Sequence, residues 1–161
     1  MDTIEHPFPP VVDDNCRILI LGSFPSVRSR EDGFFYGHPQ NRFWRMLARI
    51  LGEDLPADIP ARHSMLLRHH IALWDVIACC EIAGSSDSSV KNITPVDIAR
   101  VMDHAQIDRV ICNGALAGKL YRRYLQPLTG LEAVILPSTS PANASWSLEK
   151  LERAWSPYLN E

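Results

Sequence analysis

The sequence predicts a three-layer α/β/α fold with a central four-stranded parallel sheet. Four short runs rich in β-branched residues and leucine are typical of buried strands, at 17–21, 71–77, 107–112 and 131–136. Segments with apolar residues at helical spacing follow these runs, and no internal repeat interrupts the order. Strands that alternate with helices in this way are typical of parallel β-α units.

The predicted helices begin near residues 41, 61, 94, 114 and 147. In the first helix, apolar residues recur every three or four positions and form one core-facing stripe before Gly52. Thr94-Pro95 is typical of a capping residue followed by the first residue of a helix. Residues 22–40 form a long predicted loop, and such loops in compact domains are more often functional than passive. The small, polar residues 81–92 also predict a loop.

Length and composition limit the domain organisation. With 161 residues, 46% of them hydrophobic, the chain is long enough for one compact core. We therefore expect one domain over residues 1–161. Residues 1–15 are rich in proline and acidic residues, so we expect an irregular lead-in at the surface.

Charge and cysteine content limit the partners. A net charge of −3 argues against an indiscriminate polyanion binder, although a local basic face could still hold phosphates. The four cysteines form no C-x-x-C pair, and adjacent Cys79 and Cys80 suit one tetrahedral metal poorly, so we expect free buried thiols and no metal. Free thiols suit a reducing cytoplasm. Neither a signal peptide nor a run of about 20 apolar residues is present, so no membrane partner is expected.

The carboxyl edge of the predicted sheet is where a ligand site is expected, because open parallel sheets bind ligands beyond the carboxyl ends of their strands. Four features follow strand ends there: the loop 22–44, Asp75, Asn113 and the loop 137–145. We expect them to meet at one rim.

The segment 33–44, GFFYGHPQNRFW, places three aromatic residues, a glycine, a His-Pro pair and an amide side chain directly before a predicted helix. Asn41 could simply cap that helix, or its amide could orient a reacting group through hydrogen bonds. Tyr36 could fill the core or stack on a base. His38 could hydrogen-bond within the loop or contact a phosphate.

The segment 137–146, PSTSPANASW, has two interpretations. Turn chemistry alone explains a cluster of Ser, Pro and Asn before a helix. Alternatively, the hydroxyls and backbone amides of Ser138, Thr139 and Ser140 hold a phosphate backbone, while Ala142 and Asn143 approach a duplex closely. A basic surface could be extended by arginines and a lysine that could equally be solvated charges, namely Arg28, Arg30, Arg42, Arg45, Lys119, Arg122 and Arg123.

Four motifs together resemble the uracil-DNA glycosylase superfamily, over residues 16–155. They are GSFPS at 22–26, GFFYGHPQNRFW at 33–44, LWDV at 73–76 and STSPANA at 138–144. The second motif is similar to the GFPFAHPANRFW run of mismatch-specific uracil-DNA glycosylases, and the combination looks most like the hypoxanthine-DNA glycosylase branch. The resemblance implies a uracil-DNA glycosylase-like fold and a monomer without cofactor that acts on double-stranded DNA containing a deaminated base.

The resemblance also implies site residues. Asn41 would be catalytic. The base would be bound by Tyr36, Ser23, Phe24, Asp75 and Asn113, and the DNA by His38, Ser138, Thr139, Ser140, Pro141, Ala142 and Asn143. Two departures matter. Phe24 stands where many relatives carry an Asp or Asn that activates water, and the four spaced cysteines of iron-sulfur members are absent, so no cluster is expected.

These features predict a monofunctional glycosylase of base excision repair, most similar to those that release hypoxanthine from deoxyinosine. Two alternatives stay open. The preferred base could be uracil in a G:U mismatch, because pocket selectivity can depend on one or two polar contacts. The chain could also be a catalytically silent DNA-binding or nucleotide-binding module, for which Phe24 is the main argument.

Overall fold

A computed structural model describes residues 2–82 and 90–159 of the chain. In chain order the elements are β1 (Asp2–Glu5), β2 (Ile18–Gly22), α1 (Val27–Asp32), α2 (Phe43–Leu51), α3 (Ile59–Arg68), β3 (Ile71–Asp75), β4 (Ile77–Ile82), β5 (Lys91–Pro95), α4 (Ala99–Met102), β6 (Arg109–Asn113), α5 (Ala115–Tyr124), α6 (Gln126–Thr129), β7 (Ala133–Leu136) and α7 (Leu148–Leu159).

The main sheet has four parallel strands in the order β3-β2-β6-β7, which confirms the predicted central sheet. Every residue of β2 and of β3 is buried, as expected of strands covered on both faces. Gly22 pairs with Asp75, and Asn113 pairs with Leu136, so the strands end at nearly the same level. The loops that follow them therefore start from one edge.

A second, antiparallel sheet of three strands in the order β1-β4-β5 was not predicted. Residues 2–5, expected to be irregular, form β1 and pair with β4. Val11 is also fully buried and bridges to Leu73, so residues 2–15 are not a loose surface lead-in. The prediction was wrong because DTIE carries only one apolar residue, Ile4, and its strand conformation comes from pairing with β4 rather than from its own pattern.

The expected helix start at Thr94-Pro95 was also wrong, because both residues belong to β5 and the helix begins only at Ala99. Proline is tolerated there because β5 lies at the sheet edge and Pro95 is its last residue. Part of the predicted loop at 81–92 lies in β4 and β5, and its residues 83–89 fall outside the described part of the chain.

The predicted stripe of the first helix lies in the core. Trp44, Leu47 and Ala48 of α2 are buried, and α2 packs against α7. The preceding loop is not wholly irregular, because it contains the short helix α1.

All four cysteines are free, and Cys16, Cys80 and Cys112 are buried whereas Cys79 is half-buried. Burial raises the pKa of the Cys112 thiol to about 12. Within residues 2–82 and 90–159, no helix has the length and apolarity needed to cross a membrane.

Candidate active site

One cavity of about 220 Å³ lies at the carboxyl edge of the parallel sheet. That volume equals about seven molecules of liquid water, which is room for a flat two-ring base. The predicted site residues that line it are Ser23, Phe24, Tyr36, Asn41, Asp75, Asn113, Ser138, Thr139 and Ser140. The structure therefore brings together the loop after β2, the end of β3, the end of β6 and the loop after β7, as expected.

The Asn41 amide has a fixed orientation. Its Oδ1 accepts a hydrogen bond from the Phe43 backbone N–H at 2.9 Å, which caps the start of α2, and another from the Thr139 hydroxyl, also at 2.9 Å. A backbone N–H can only donate, so this atom must be the oxygen and the other must be Nδ2. Among the described residues Nδ2 has no partner. Asn41 therefore has both the capping contact and a donor left for chemistry.

Thr139 links the two predicted motifs. It is fully buried, its hydroxyl donates to Asn41 and accepts from Asn113 Nδ2 at 3.0 Å, and its backbone N–H donates to Asn113 Oδ1 at 3.0 Å. The expectation that this hydroxyl holds a phosphate was wrong, because the hydroxyl is buried and already bonded on both sides. Thr139 instead positions the catalytic candidate.

Arg42 is not part of a basic surface. Its Nη2 donates to the carbonyls of Ser140 at 2.8 Å and Asn143 at 3.2 Å, and its Nη1 donates to the carbonyl of Trp146. Its own backbone N–H donates to the Thr139 carbonyl at 3.1 Å. The guanidinium therefore fastens the loop after β7 to the start of α2.

Tyr36 lies in the cavity wall in a constrained conformation. Its φ of 54° is in the left-handed region, which residues other than glycine seldom adopt. One face of its ring stacks on Phe43 with centroids 4.2 Å apart, so the ring has firm support. Burial, and next the nearby Asp75 charge, raise the pKa of the Tyr36 phenol. The hydroxyl therefore stays neutral, and it has no hydrogen-bond partner within the described chain.

Gly22 permits the close approach of two site residues. A Cβ at this position would overlap Oδ1 of Asp75 and lie 2.9 Å from the Tyr36 hydroxyl. A larger residue at the end of β2 would therefore displace the carboxylate or the ring.

Asp75 is 3% exposed and has a partner that sequence reasoning missed. His6 Nε2 lies 2.8 Å from its Oδ2, and the two residues are 69 positions apart in the chain. No pattern in the sequence pointed to His6, because only the pairing of β1 with β4 brings it to the site.

Hydrogen bonds within the loops account for much of the remaining polar chemistry. His38 Nδ1 accepts from the Gln40 backbone N–H at 3.1 Å, which is the simpler of its two expected roles. Ser138 Oγ accepts from the Ser140 N–H at 3.1 Å, and Asn143 Nδ2 donates to the Ser138 carbonyl at 3.0 Å. These bonds shape the turn, while contacts of the loop with DNA remain predictions.

His38 and the outer residues of the second loop, Pro141, Ala142 and Asn143, do not line the cavity. Ser23 and Phe24 do line it, and the Phe24 ring lies 5.6 Å from the Arg30 guanidinium. Within residues 2–82 and 90–159, no group of three or more His, Cys, Asp or Glu side chains is placed to hold a metal ion.

The chain is similar to a known family and to two named proteins over nearly its whole length. The model of the family described as "Uracil DNA glycosylase superfamily" matches residues 9–159. A "Hypoxanthine DNA glycosylase" from Methanosarcina barkeri is 39% identical over 150 residues, covering 92% of this chain and 93% of that protein. A second protein of that name, from Methanosarcina acetivorans, is 37% identical over 154 residues, covering 94% and 96%.

A solved structure is also similar. It is a solution NMR structure of a candidate uracil DNA glycosylase from Methanosarcina acetivorans, with a TM-score of 0.80 and 32% sequence identity. The match covers 98% of this chain and 99% of that one. The similarity therefore extends over nearly the whole length of both chains.

Proposed function

Because the chain belongs to the uracil DNA glycosylase superfamily, we propose that it is a monofunctional DNA glycosylase that releases hypoxanthine from deoxyinosine in double-stranded DNA. One observation carries the proposal: a fixed amide donor on Asn41, a supported aromatic ring on Tyr36 and a buried carboxylate on Asp75 line one cavity. The choice of base is supported by the two relatives named hypoxanthine DNA glycosylases.

The damaged nucleotide must leave the duplex before the reaction, because its glycosidic bond is shielded in the stack. Extruding a nucleotide costs a few kcal/mol, and less for a mismatched or damaged base such as deoxyinosine. Once in the cavity, the base stacks on Tyr36, whose opposite face rests on Phe43. Such stacking contributes about 1–3 kcal/mol per base.

Asp75 recognises the edge of the base. Its Oδ2 is taken by His6, while Oδ1 lies beside Gly22 at the cavity wall. Hypoxanthine carries a donor at N1, which a carboxylate oxygen accepts. Adenine has an acceptor at N1, which a carboxylate would repel, so the same contact discriminates against the undamaged base.

The reaction is a hydrolysis in which water attacks C1′ of the deoxyribose and the bond from C1′ to N9 breaks. The bonding electrons leave with the base as its anion, and the proton that the water releases as the sugar hydroxyl forms is taken up by that base, so the products are neutral hypoxanthine and an abasic deoxyribose. Asn41 donates from Nδ2 to the departing base or to the attacking water, since its oxygen is already held by Phe43 and Thr139. Phe24 supplies no carboxylate, so the rate depends on a good leaving group such as hypoxanthine.

The loop 137–145 and His38 complete the proposed DNA contacts. The loop fills the gap left by the extruded nucleotide, and its exposed residue Ala142 approaches the duplex, while backbone amides contact the flanking phosphates. We further propose that the protein acts as a monomer, because it must wrap around DNA. We also propose that it acts in the cytoplasm, because a reducing compartment suits its four free cysteines. Light scattering of the purified protein tests the first of these.

The decisive assay uses labelled duplexes that carry deoxyinosine, uracil opposite guanine, or xanthine, followed by alkali cleavage at abasic sites. We expect cleavage of the deoxyinosine duplex. Cleavage at uracil alone would support a mismatch-specific uracil glycosylase, and binding without abasic sites would support a silent module, the alternative that Phe24 favours.

The role of Asn41 is tested separately by single-turnover kinetics. Asn41→Ala should slow release of hypoxanthine about 100-fold, as loss of one transition-state donor typically does. Gln40→Ala is the matched control, because Gln40 is an exposed amide one residue away. A folded Asn41→Ala protein with the rate of the control would reduce Asn41 to a helix cap.

A further inference from the structure

We propose that His6 is a positioning residue that holds the Asp75 carboxylate in the orientation needed to accept the N1–H of hypoxanthine. This inference rests on the proposed function and concerns how base recognition is built. His6 precedes residues 9–159, the part of the chain that the family model matches.

His6 and Asp75 form a buried pair. Nε2 of the imidazole lies 2.8 Å from Oδ2, and the two side chains are 5% and 4% exposed. Because the carboxylate oxygen accepts, Nε2 carries the proton. The ring lies edge-on to Phe8 at 4.6 Å and to Phe24 at 6.0 Å between centroids, so its neighbours restrict rotation.

The backbone holds His6 as firmly as the side-chain contacts do. Its N–H donates to the Ala78 carbonyl at 2.7 Å, at the end of the ladder between β1 and β4. Since β4 begins two residues after Asp75, one short stretch of chain carries both the carboxylate and the strand that positions the imidazole. The distance between the pair is therefore set by sheet pairing.

Packing alone does not explain a histidine here. Within the described chain, Nδ1 of His6 is buried without a partner, which makes the imidazole a poorer filler of an aromatic cluster than an apolar side chain. The buried Asp75 charge, in contrast, requires a donor. With Oδ2 held by His6, Oδ1 lies next to Gly22, which lines the cavity together with Asp75. The imidazole thus determines which carboxylate oxygen is left for the base.

The test couples His6 to one atom of the substrate. Duplexes carry either deoxyinosine or 1-deaza-deoxyinosine, a base of nearly the same shape in which carbon replaces N1, so that position 1 has no N–H and the displaced proton resides on N3 or O6. The enzymes are the wild type, His6→Gln and His6→Asn. The Gln amide nitrogen lies as many bonds from the backbone as Nε2 of histidine, whereas the Asn amide is one bond shorter and does not reach Asp75.

The measured quantity is the ratio of single-turnover rates on the two duplexes. We expect the wild type and His6→Gln to prefer deoxyinosine by about tenfold or more, which is the size expected for the loss of one hydrogen bond to a charged group. His6→Asn should lower that ratio to about twofold by slowing release from deoxyinosine, with little effect on the deaza substrate. Effects that combine in this non-additive way identify residues acting through one contact.

Phe8→Leu is the packing control, since the Phe8 ring packs edge-on against the imidazole and its side chain has no polar atom that could hydrogen-bond to the carboxylate. It should change both rates by the same factor and keep the ratio. The positioning role would be overturned if His6→Gln and His6→Asn gave the same ratio of the rate on deoxyinosine to the rate on 1-deaza-deoxyinosine. It would also be overturned if His6→Asn kept the wild-type ratio. Neither outcome would affect the proposed glycosylase activity. Absence of any hypoxanthine release by the wild type would instead refute the proposed function.

Discussion

Replacing Arg42 with methionine tests how the two active-site loops are held together. The guanidinium donates to three backbone carbonyls of the loop after β7, those of Ser140, Asn143 and Trp146. Hydrogen bonds from a charged group contribute about 1.5–3 kcal/mol each. These three residues are half-buried, so water can reach part of the freed carbonyls and the loss should fall well below the full sum. We expect Arg42→Met to lower the free energy of unfolding by about 2–4 kcal/mol.

The loss should also have a local signature. For a chain of this size, 1 kcal/mol corresponds to about 2–4 °C in melting temperature, so the midpoint should fall by about 4–16 °C. Amide hydrogen exchange should rise most in residues 137–147. Because the same loop carries Thr139, which holds the Asn41 oxygen, release of hypoxanthine should slow by about tenfold.

Arg45→Met is the matched control, since Arg45 is an exposed arginine on the same helix. Surface substitutions of this kind usually change stability by less than about 0.5 kcal/mol. Equal melting temperatures and equal exchange in the two variants would show that the guanidinium contacts do not fasten the loop.

Three other substitutions have defined outcomes. Gly22→Ala should slow base release by tenfold or more in single-turnover assays, about 1.4 kcal/mol, because its Cβ would displace Asp75 or Tyr36; a wild-type rate would show that the cavity wall is not tight. Tyr36→Ala should weaken anisotropy-measured binding to deoxyinosine duplexes about 5- to 150-fold, more than to undamaged duplex, as expected of a lost stacking platform; equal losses would exclude stacking. Cys112→Ala should make stability less sensitive to alkali in urea denaturation. Burial raises the folded pKa of this thiol from 9.0 to about 12, so the unfolded chain ionises first and stability falls between those pH values. The wild type should lose about 1.4 kcal/mol more than the variant between pH 8 and 10, and parallel losses would contradict this.

The parallel sheet could be predicted because its strands carry their own signal. Runs such as ILIL at 18–21 are apolar throughout, and a strand buried on both faces requires such a run. The antiparallel sheet could not be predicted in this way. Its outer strand DTIE has one apolar residue, and β5 ends in a Thr-Pro pair that is equally typical of a helix start.

The residues of the candidate site could be predicted from the sequence, but most of their hydrogen-bond partners could not. Asn41, Tyr36 and Asp75 were each chosen from the sequence, and they line one cavity. The sequence could not show whether a basic residue such as Arg42 faces solvent or backbone carbonyls, because an arginine side chain is compatible with either environment. It also could not indicate His6, whose place depends on a contact across 69 residues.

The pairing of β1 with β4 has a practical consequence for handling the protein. A shortened version starting at Pro9, where the family match begins, would contain every described residue that lines the cavity. It would nevertheless lose β1, and β4, which is the central strand of the antiparallel sheet, would become an exposed edge strand. Exposed edge strands can pair with strands of neighbouring molecules, so such a fragment should precipitate or self-associate. A bulky affinity tag fused directly to β1 should disturb the pairing of β1 with β4 in the same way.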